Sequence, residues 1–266
     1  MPKHEVSPKH PRATSLRIRE KLVQGFEKGL TSSFGLFAHG RGEAFDYLIG
    51  EKTTDNAKHA ITVAAACLLL GQKPVLSVNG NVAALVPDDL VKLSNAAGAK
   101  LEINLYHRSK DREKAIAKVL KEAGAEEIYG LDSNYYETIP EIHSDRRIVD
   151  TRGLFTADVA FVPLEDGDRT EGLVRLGKRV ITVDLNPLSR TAQKASISIV
   201  DNVVRAMPLL IKAVERLHDE PHEKLKKILD NFDNHYNLAE AIRLINDRLS
   251  TLAQNHDLLE SGVEKK

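Results

Sequence analysis

The chain has 266 residues, which is enough to bury a large hydrophobic core. Hydrophobic residues make up 42% and charged residues 29% of it, and this composition excludes disordered and collagen-like proteins. Basic and acidic residues number 38 each, so the net charge is zero and no overall positive field attracts nucleic acid or an anionic membrane. We therefore expect any anion-binding site to be local.

The cellular location is suggested by one thiol and by the chain's N-terminal residues. Cys67, the single cysteine, lies in an apolar run, which is typical of a reduced thiol in a protein core. The first residues lack the apolar stretch of a signal peptide, and no uncharged run approaches the roughly 20 residues that cross a bilayer. We expect a cytoplasmic protein that binds neither membrane nor nucleic acid.

The first part of the chain is predicted to be helical. Apolar residues recur with a spacing close to 3.6 over residues 14–29 and again over residues 54–71. A shorter helical stretch covers residues 43–48, directly after a segment that contains two glycines. We expect the N-terminal helical segment to extend over about residues 1–71.

From Lys73 onwards, short β-rich runs alternate with helical segments. The expected strands are residues 74–79, 100–105, 127–130, 158–164, 179–184 and 197–200. The expected helices begin near Pro87 and then cover residues 110–123, 169–176, 202–217, 220–230 and 238–253. The tail, residues 261–266, is expected to be frayed.

This alternation predicts the fold class. A parallel crossover needs a connection of helical length, so we expect an α/β fold with an open, largely parallel sheet and helices on both faces. Helical N- and C-terminal regions complete it, and the last helices close the fold over about residues 202–256. Residues 1–266 are expected to form one domain. Because ligands bind at the carboxyl ends of parallel strands, polar clusters there are candidate sites.

Two of these clusters contain glycine. Residues 39–46 read HGRGEAFD, which predicts either an anion-contacting turn just before a helix or an ordinary solvated turn. Residues 79–81 read NGN at the end of a strand, and their two side-chain amides either hold a polar ligand or mark a hairpin turn. Neither segment has the glycine pattern of a Walker A loop or of a dinucleotide-binding fold.

A third cluster, residues 164–171, reads LEDGDRTE and follows a strand of strong β character. Four carboxylates within seven residues repel one another unless a cation joins them. Mg²⁺ bound together with substrate phosphates would supply that charge, and so would the ammonium group of a substrate. The alternative interpretation is that Asp168 caps a helix and the other carboxylates are solvated.

A fourth cluster joins two loops. Residues 183–192 read VDLNPLSRTA, where Asp184 at a strand end is suited to accept hydrogen bonds from a ribose and Arg190 to make a two-pronged contact with phosphate. Residues 200–205 read VDNVVR, follow the next strand, and would face the same crevice. An ordinary turn is again the alternative interpretation.

Taken together, these clusters resemble the archaeal phosphopantothenate synthetases, also called 4-phosphopantoate–beta-alanine ligases. The likeness covers nearly the whole chain and is most specific in residues 39–51, 77–87, 162–171 and 184–190. It is weaker over residues 133–151, from which we take no site residue. The resemblance implies a Rossmann-like core, a homodimer, and the condensation of 4-phosphopantoate with β-alanine in coenzyme A biosynthesis. ATP would be cleaved to AMP and diphosphate through an acyl-adenylate.

The resemblance also implies which residues bind ATP. They are Arg19, Arg41, Asp184, Leu185, Asn186, Arg190, Thr191, Asn202 and Val203. Arg19, Arg41 and Arg190, with Mg²⁺, are expected to neutralise charge during adenylation, and Asp166 or Asp168 to orient the β-alanine amine or take its proton. We therefore predict Arg41, Arg190 and Asp168 as catalytic residues. The predicted substrate contacts are His39, Asn79, Asn81 and Asp166.

Two other functions remain open on the sequence. An ADP-forming ligase would activate the acid as an acyl phosphate, and residue chemistry alone does not separate it from the AMP-forming reaction. A non-catalytic nucleotide-binding regulatory protein would use the same crevice. The partners expected in every case are small molecules, and the sequence does not assign any metal ligands.

Overall fold

The N-terminal part of the protein consists of three helices in the computed structural model, which describes residue 7 and residues 9–255. They are α1 (Ala13–Glu27), α2 (Ser33–Ile49) and α3 (Asp55–Leu70). The predicted frayed tail lies outside the described residues. The expectation of a turn at residues 39–46 was wrong, because this segment lies inside α2.

The continuity of α2 follows from its two ends. Ser32 caps its start by accepting a hydrogen bond from the Gly35 N–H at 3.3 Å, and Gly50 ends it in the left-handed conformation, at φ 95°. Gly40 and Gly42 lie between these ends, where each glycine costs up to about 1 kcal/mol relative to alanine. Packing of α2 against its neighbours offsets that cost, which local pattern alone does not reveal.

The remaining elements include the predicted strands and helices, apart from residues 127–130. In chain order they are β1 (Pro74–Val78), α4 (Gly80–Leu85), α5 (Pro87–Ala97), β2 (Lys100–Ile103), α6 (Lys110–Glu122), β3 (Tyr136–Thr138), β4 (Ile148–Asp150), β5 (Val159–Phe161), α7 (Gly167–Arg175), β6 (Arg179–Val183), α8 (Arg190–Lys194), β7 (Ile197–Ile199), α9 (Val203–Leu217), α10 (His222–Asp230) and α11 (Asn234–Asn255). Of these, α4, β3, β4 and α8 were not predicted. Residues 127–130 were expected to be a strand, but they contribute only a single bridge, between Tyr129 and Glu102.

Five strands form one parallel sheet in the order β2-β1-β5-β6-β7, which confirms the predicted α/β class and is consistent with a Rossmann-like fold. Leu76 at its centre lies beside Leu101 on one side and Phe161 on the other. Strands β3 and β4 form a separate antiparallel pair within the segment that carried little sequence signal.

The two faces of the sheet differ in polarity. Leu76, Phe161 and Ile181 point into the larger core, which α3, α5 and α9 cover. The opposite face has a smaller apolar core around Ala160 and Leu173. It also carries buried polar side chains on alternate strand positions: Ser77, Glu102, Thr182 and Ser198. Buried polar groups need partners, so this face is the one that holds ionic side chains near the strand ends.

The terminal helices pack against the sheet's last strands. Ile49 of α2 and Leu238 of α11 share an apolar cluster with Leu185 and Val200, which follow β6 and β7. That all 266 residues form one domain stays a prediction.

Cys67 lies in the main core, as predicted, and burial raises the pKa of its thiol to about 12. Among the described residues, none of the helices is both long and apolar enough to span a membrane.

Gly80 is expected to tolerate no side chain. A Cβ atom there would lie 2.1 Å from the Leu30 carbonyl oxygen, a backbone atom that moves only with the chain. We expect Gly80→Ala to lower the free energy of unfolding by about 1–3 kcal/mol, measured by urea denaturation. Gly40→Ala is the matched control, because the space there is open and the site is helical, so it should stabilise by about 0.5–1 kcal/mol. Equal stability of both variants would contradict the close approach.

Candidate active site

The crevice of this sheet lies between β1 and β5. From β1 the chain moves to β2 on one side, whereas β5, β6 and β7 extend the sheet on the other, so the strand order reverses at that point. Loops that leave the carboxyl ends of two diverging strands leave an open space, which is where open α/β sheets bind ligands. The loops here begin at Asn79 and after Phe161.

Asn79 holds these two loops together. Its Nδ2 donates to the carbonyl oxygens of Pro163 at 2.9 Å and of Leu164 at 3.2 Å, and its Oδ1 accepts from the Val82 N–H at 3.1 Å. Leu164 has a φ of 53°, a left-handed conformation that a branched side chain rarely adopts and that the surrounding structure must stabilise. The hairpin interpretation was wrong, since α4 begins directly at Gly80.

Asn81 joins the crevice to the N-terminal helices. Its Nδ2 donates to the Gly35 carbonyl oxygen of α2 at 2.8 Å, and a Cβ at Gly35 would lie 2.4 Å from its Oδ1. The side-chain amides of Asn79 and Asn81 thus each make hydrogen bonds within the protein. Both residues shape the walls of the crevice.

A buried ion cluster lies below the β5 loop. Glu165 Oε2 lies 2.6 Å from Arg146 Nη1 and 2.5 Å from Arg169 Nη1, and Arg169 Nη1 also donates to Ser77 Oγ at 2.9 Å. Arg169 is fully buried, and within the described part of the chain its Nε and Nη2 have no hydrogen-bond partner. The Glu165 carboxylate is therefore the counter-charge of two guanidinium groups, and the Nε and Nη2 donors of Arg169 have no acceptor among the described residues.

Asp166 adds a second carboxylate to this cluster. Its Oδ2 lies 3.0 Å from Arg146 Nε without the geometry of a hydrogen bond, and neither of its oxygens accepts one from any residue that the structure describes. Burial, and next the negative charge of Glu165, raise the pKa of Asp166 to about 6. Asp166, not Asp168, occupies the N-cap position of α7, and its side chain makes no capping bond, so the cap interpretation of Asp168 was wrong.

Arg190 lies at the surface beside α7. Its Nη1 is 2.6 Å from Asp168 Oδ1 and its Nη2 is 2.6 Å from Glu171 Oε2, and its side chain is 60% exposed. The next residue, Thr191, donates its hydroxyl to the Glu165 carbonyl oxygen at 2.8 Å. The β6 loop is therefore attached to the β5 loop, and Arg190 has an exposed guanidinium within reach of a ligand in solvent.

Asp184 organises the loop after β6. Its Oδ1 accepts from the Asn186 N–H at 2.9 Å, and its Oδ2 accepts from the Ser189 hydroxyl at 2.5 Å. Burial raises the pKa of Asp184, whereas the hydrogen bonds from Ser189 and Asn186, and then the positive charge of Arg41 on α2, act in the opposite direction. Leu185, between these polar residues, is buried in the apolar cluster that packs α2 on the sheet.

A second contact between α2 and the sheet lies after β7. Asn202 Nδ2 donates to Asp46 Oδ2 at 3.0 Å, and Arg205 Nη2 bridges Asp46 at 2.6 Å and Asp201 at 2.7 Å. Val203 begins α9 and is buried. Helix α2 is thus held across the carboxyl ends of β6 and β7, which places Arg41 near Asp184.

The outer face of α2 contacts α1. Arg19 makes a two-pronged contact with Glu43, at 2.7 Å and 2.8 Å, and the Tyr47 hydroxyl donates to the same carboxylate at 2.6 Å. Burial raises the pKa of Glu43, but hydrogen bonds from Arg19 and Tyr47 outweigh it, and the pKa falls below its usual range. His39 lies beside this group, and burial lowers its pKa. Arg19 therefore shares its charge with a carboxylate.

The amino-acid sequence is similar to that of known proteins. A sequence model described as phosphopantothenate/pantothenate synthetase matches residues 56–248. The chain belongs to this synthetase family. A relative from Thermococcus kodakarensis, named 4-phosphopantoate–beta-alanine ligase, is 52% identical over 246 residues, which cover 92% of this chain and 94% of the relative. A relative of the same name from Thermococcus onnurineus is 51% identical over 258 residues, which cover 97% of this chain and 96% of the relative. Another, from Methanosarcina mazei, is 50% identical over 244 residues, which cover 92% of this chain and 95% of the relative.

The synthetase family match includes the three loops that follow β5, β6 and β7. Arg19, His39 and Arg41 lie before residue 56, where the match to the family model begins. The alignments with the relatives, in contrast, extend over nearly the whole chain. The sequence patterns missed Arg146, Arg169 and Glu165 as a group. Glu165 and Arg169 are four residues apart at a helix start, a spacing that indicates an ion pair, but Arg146 comes from the weakly similar segment and had no such signal.

Among residues 7 and 9–255, no three histidine, cysteine, aspartate or glutamate side chains are grouped so that they could hold a metal ion. The carboxylates of residues 164–171, which were expected either to share a cation or to be solvated, contact arginine side chains in two groups. Glu165 faces buried arginines, while Asp168 and Glu171 contact Arg190.

Proposed function

We propose that this protein is an ATP-dependent ligase that joins 4-phosphopantoate to β-alanine and forms 4′-phosphopantothenate for coenzyme A synthesis. The observation that carries the proposal is the crevice itself, where arginines from distant segments lie along the carboxyl edge of the sheet. The curated relatives, about half identical over nearly the whole chain, have the name of this reaction.

The reaction proceeds in two steps. A carboxylate oxygen of 4-phosphopantoate attacks the α-phosphorus of ATP, the bond from that phosphorus to the bridging oxygen breaks, and diphosphate leaves. The β-alanine nitrogen then attacks the acyl carbon, AMP departs, and an amide forms. Both reactants of the first step are anions, so fixed positive charge lowers its barrier.

ATP occupies the β6 and β7 end of the crevice in this proposal. Asp184 and Asn186 hold the ribose side, Asn202 and Val203 border the base of α9, and Arg41 approaches from α2. Arg190 and Thr191 stand between this end and the β5 loop, which suits contact with the phosphates. Leu185 supplies apolar packing, and Arg19 acts from outside through Glu43 and His39.

Asp166 is the better candidate for the β-alanine amine. Asp168 is exposed and already paired with Arg190, whereas both oxygens of Asp166 are free of hydrogen bonds from the described residues. The amine, with a reference pKa of about 10, must lose a proton before it attacks. A carboxylate that can bind an ammonium group and has a pKa of about 6 is suited to that transfer. Of the two carboxylates considered for the amine, we therefore assign this role to Asp166. Asp168 pairs with Arg190.

The proposal has three further parts. Mg²⁺ would be held chiefly by the phosphates of ATP, as is usual for this ion, and would add positive charge there. The protein would work as a homodimer, as the family resemblance implies. Its location would be the cytoplasm, in keeping with the buried thiol of Cys67.

Exchange of labelled diphosphate into ATP tests the activation step directly. We expect exchange that depends on 4-phosphopantoate and needs no β-alanine, because the acyl-adenylate forms before the amine reacts. ADP as the nucleotide product would replace this proposal by an acyl-phosphate mechanism. ATP binding without any exchange or amide formation would favour a regulatory role.

Arg41→Ala and Arg190→Ala are each expected to slow diphosphate exchange by roughly 100-fold, the loss typical of one preorganised donor to a developing charge. Arg175→Ala is the matched control, because Arg175 is exposed on α7 and contacts the same Glu171 as Arg190. It should exchange at nearly the wild-type rate. Wild-type exchange in either test variant would remove that arginine from the mechanism.

A further inference from the structure

Besides Arg146 and Arg169, a further arginine lies near the crevice. This residue, Arg112, has no role in the reaction proposed above. Arg112 of α6 donates through Nη2 to the Leu30 carbonyl oxygen at 2.9 Å and through Nη1 to the His107 carbonyl oxygen at 2.5 Å. Its Nε is buried and has no hydrogen-bond partner among the described residues. Within the same residues, no carboxylate lies at ion-pair distance from Arg112. Its charge is therefore held only by two backbone dipoles.

Arg112 reaches the open side of the crevice. Its Nη2 lies 2.9 Å from the position that a Cβ of Gly80 would take, so the guanidinium stands directly at the end of β1. Burial, and next the positive charge of Arg146, lower the pKa of Arg112.

Arg146 approaches the same region from the segment before β4. Its Nη1 contacts the Asn104 carbonyl oxygen at 3.4 Å, just past the end of β2, and Asn104 Nδ2 donates back to the carbonyl oxygens of Arg146 and Ile148. Arg146 is itself buried, and so is Arg169. Three guanidinium groups thus lie at the ends of β1 and β2. Glu165 is the counter-charge of Arg146 and Arg169, and Asp166 adds a second carboxylate beside Arg146.

Arg112 has no carboxylate partner among the described residues, and a partly buried guanidinium without a counter-charge costs free energy unless an anion binds beside it. A phosphate dianion is the group that fits best, because it accepts several hydrogen bonds and guanidinium groups bind it in a planar, two-pronged way. Resting on the proposed function, we infer that Arg112 and Arg146 form the subsite for the phosphate group of 4-phosphopantoate.

This assignment orders the substrates along the sheet edge. The phosphate lies at the β2 and β1 end, the amine of β-alanine lies near Asp166 after β5, and ATP lies after β6 and β7. The carboxylate of the acid then points from the phosphate subsite towards ATP, as its activation requires. Arg112 is in this view a determinant of specificity for the phosphorylated acid over pantoate.

The test is the kinetic preference for 4-phosphopantoate over pantoate in Arg112→Gln. We expect KM for 4-phosphopantoate to rise roughly 10- to 100-fold, the loss of one charge-assisted contact, while KM values for ATP, β-alanine and pantoate stay unchanged. Titration calorimetry with 4-phosphopantoate alone should show the same loss of affinity. Lys114→Gln is the control, because Lys114 is exposed on the same helix, and it should keep the wild-type preference.

Arg112→Lys keeps the charge but not the two-pronged geometry, and it covers the case in which the glutamine variant does not fold. We expect it to show a smaller rise in KM for 4-phosphopantoate than Arg112→Gln. An unchanged preference in a folded variant would overturn the phosphate subsite and leave the proposed function standing. Absence of ligation in the wild-type protein would instead overturn the proposed function.

Discussion

Asp166→Asn is expected to slow amide formation and at the same time stabilise the folded protein above pH 7. The carboxylate has no hydrogen-bonding partner among the described residues, yet it stands at the switch point of the sheet beside Arg146. Loss of a group that transfers a proton costs about 100-fold or more in rate, so the second step should slow by that factor. Diphosphate exchange, which needs no amine, should persist.

The stability change follows from the pKa of Asp166, which rises from an ordinary value of 3.8 to about 6 in the folded protein. Between these two pH values the folded state binds more protons than the unfolded state, so the free energy of unfolding falls as pH rises through that window. Above about pH 6 the cost of the buried charge is fully present. Asparagine removes it, and we expect a gain of about 1–2 kcal/mol at pH 8 and little change near pH 4.

Urea denaturation at pH 4 and pH 8, together with single-turnover amide formation, measures both effects. Asp168→Asn serves as the comparison, because Asp168 is exposed and contacts Arg190 instead of the buried cluster. It should keep most of the amide-forming rate and show no gain in stability at pH 8. Wild-type amide formation by Asp166→Asn would return the amine role to another residue.

Glu165→Gln is expected to produce the largest loss of stability in the molecule. Its carboxylate is almost wholly buried and is the counter-charge of Arg146 and Arg169 at 2.6 Å and 2.5 Å. Glutamine has the same shape but no charge, so two guanidinium groups would repel each other in a site with little water. Breaking a buried pair by removal of one partner costs about 3–5 kcal/mol.

Glu171→Gln is the control for this loss. Glu171 is also on α7 and contacts Arg175 and Arg190, but both of these arginines are exposed, so about 1 kcal/mol or less is expected. A double variant, Glu165→Gln with Arg169→Met, removes one of the uncompensated charges and should regain part of the stability. If Glu165→Gln unfolds at the wild-type urea concentration, the cluster is not the electrostatic unit described above.

Side-chain hydrogen bonds connect the loops of the crevice to one another and to α2. Asn79 fastens the β1 loop to the β5 loop, Thr191 fastens the β5 loop to the β6 loop, and Asp46 fastens α2 to the β7 loop. Each connection uses a side chain whose partner is more than 20 residues away. The loops are thus positioned by one another, which suits the proposed site for three substrates.

Much of the fold was predictable because its signals are local. Short apolar runs between turns marked β1, β5 and β6, since a strand buried on both faces needs no alternation. The loops after these strands had to meet at one edge of a parallel sheet. Asp184 and Asn202 were therefore placed at the correct end of the molecule from the sequence alone.

The errors share one physical cause, namely contacts between residues far apart in the chain. Glycines at 40 and 42 indicated a turn, but caps at both ends and packing on the sheet keep α2 continuous. Asp168 resembled a helix cap, and only the backbone geometry showed that Asp166 occupies that position. Local propensity is worth about 1 kcal/mol per residue, which tertiary packing readily exceeds.

Sequence by itself determined the sheet, the edge at which the candidate site lies and most of the polar residues there, because periodicity and strand ends are local properties. Tertiary structure alone decided which charges meet. Arg112 comes from a predicted helix and Arg146 from a segment with little sequence signal, and they reach the crevice only when β2 lies beside β1. An arginine in a helix or loop has the same local signal wherever it points, so its partner becomes known only once the chain has folded.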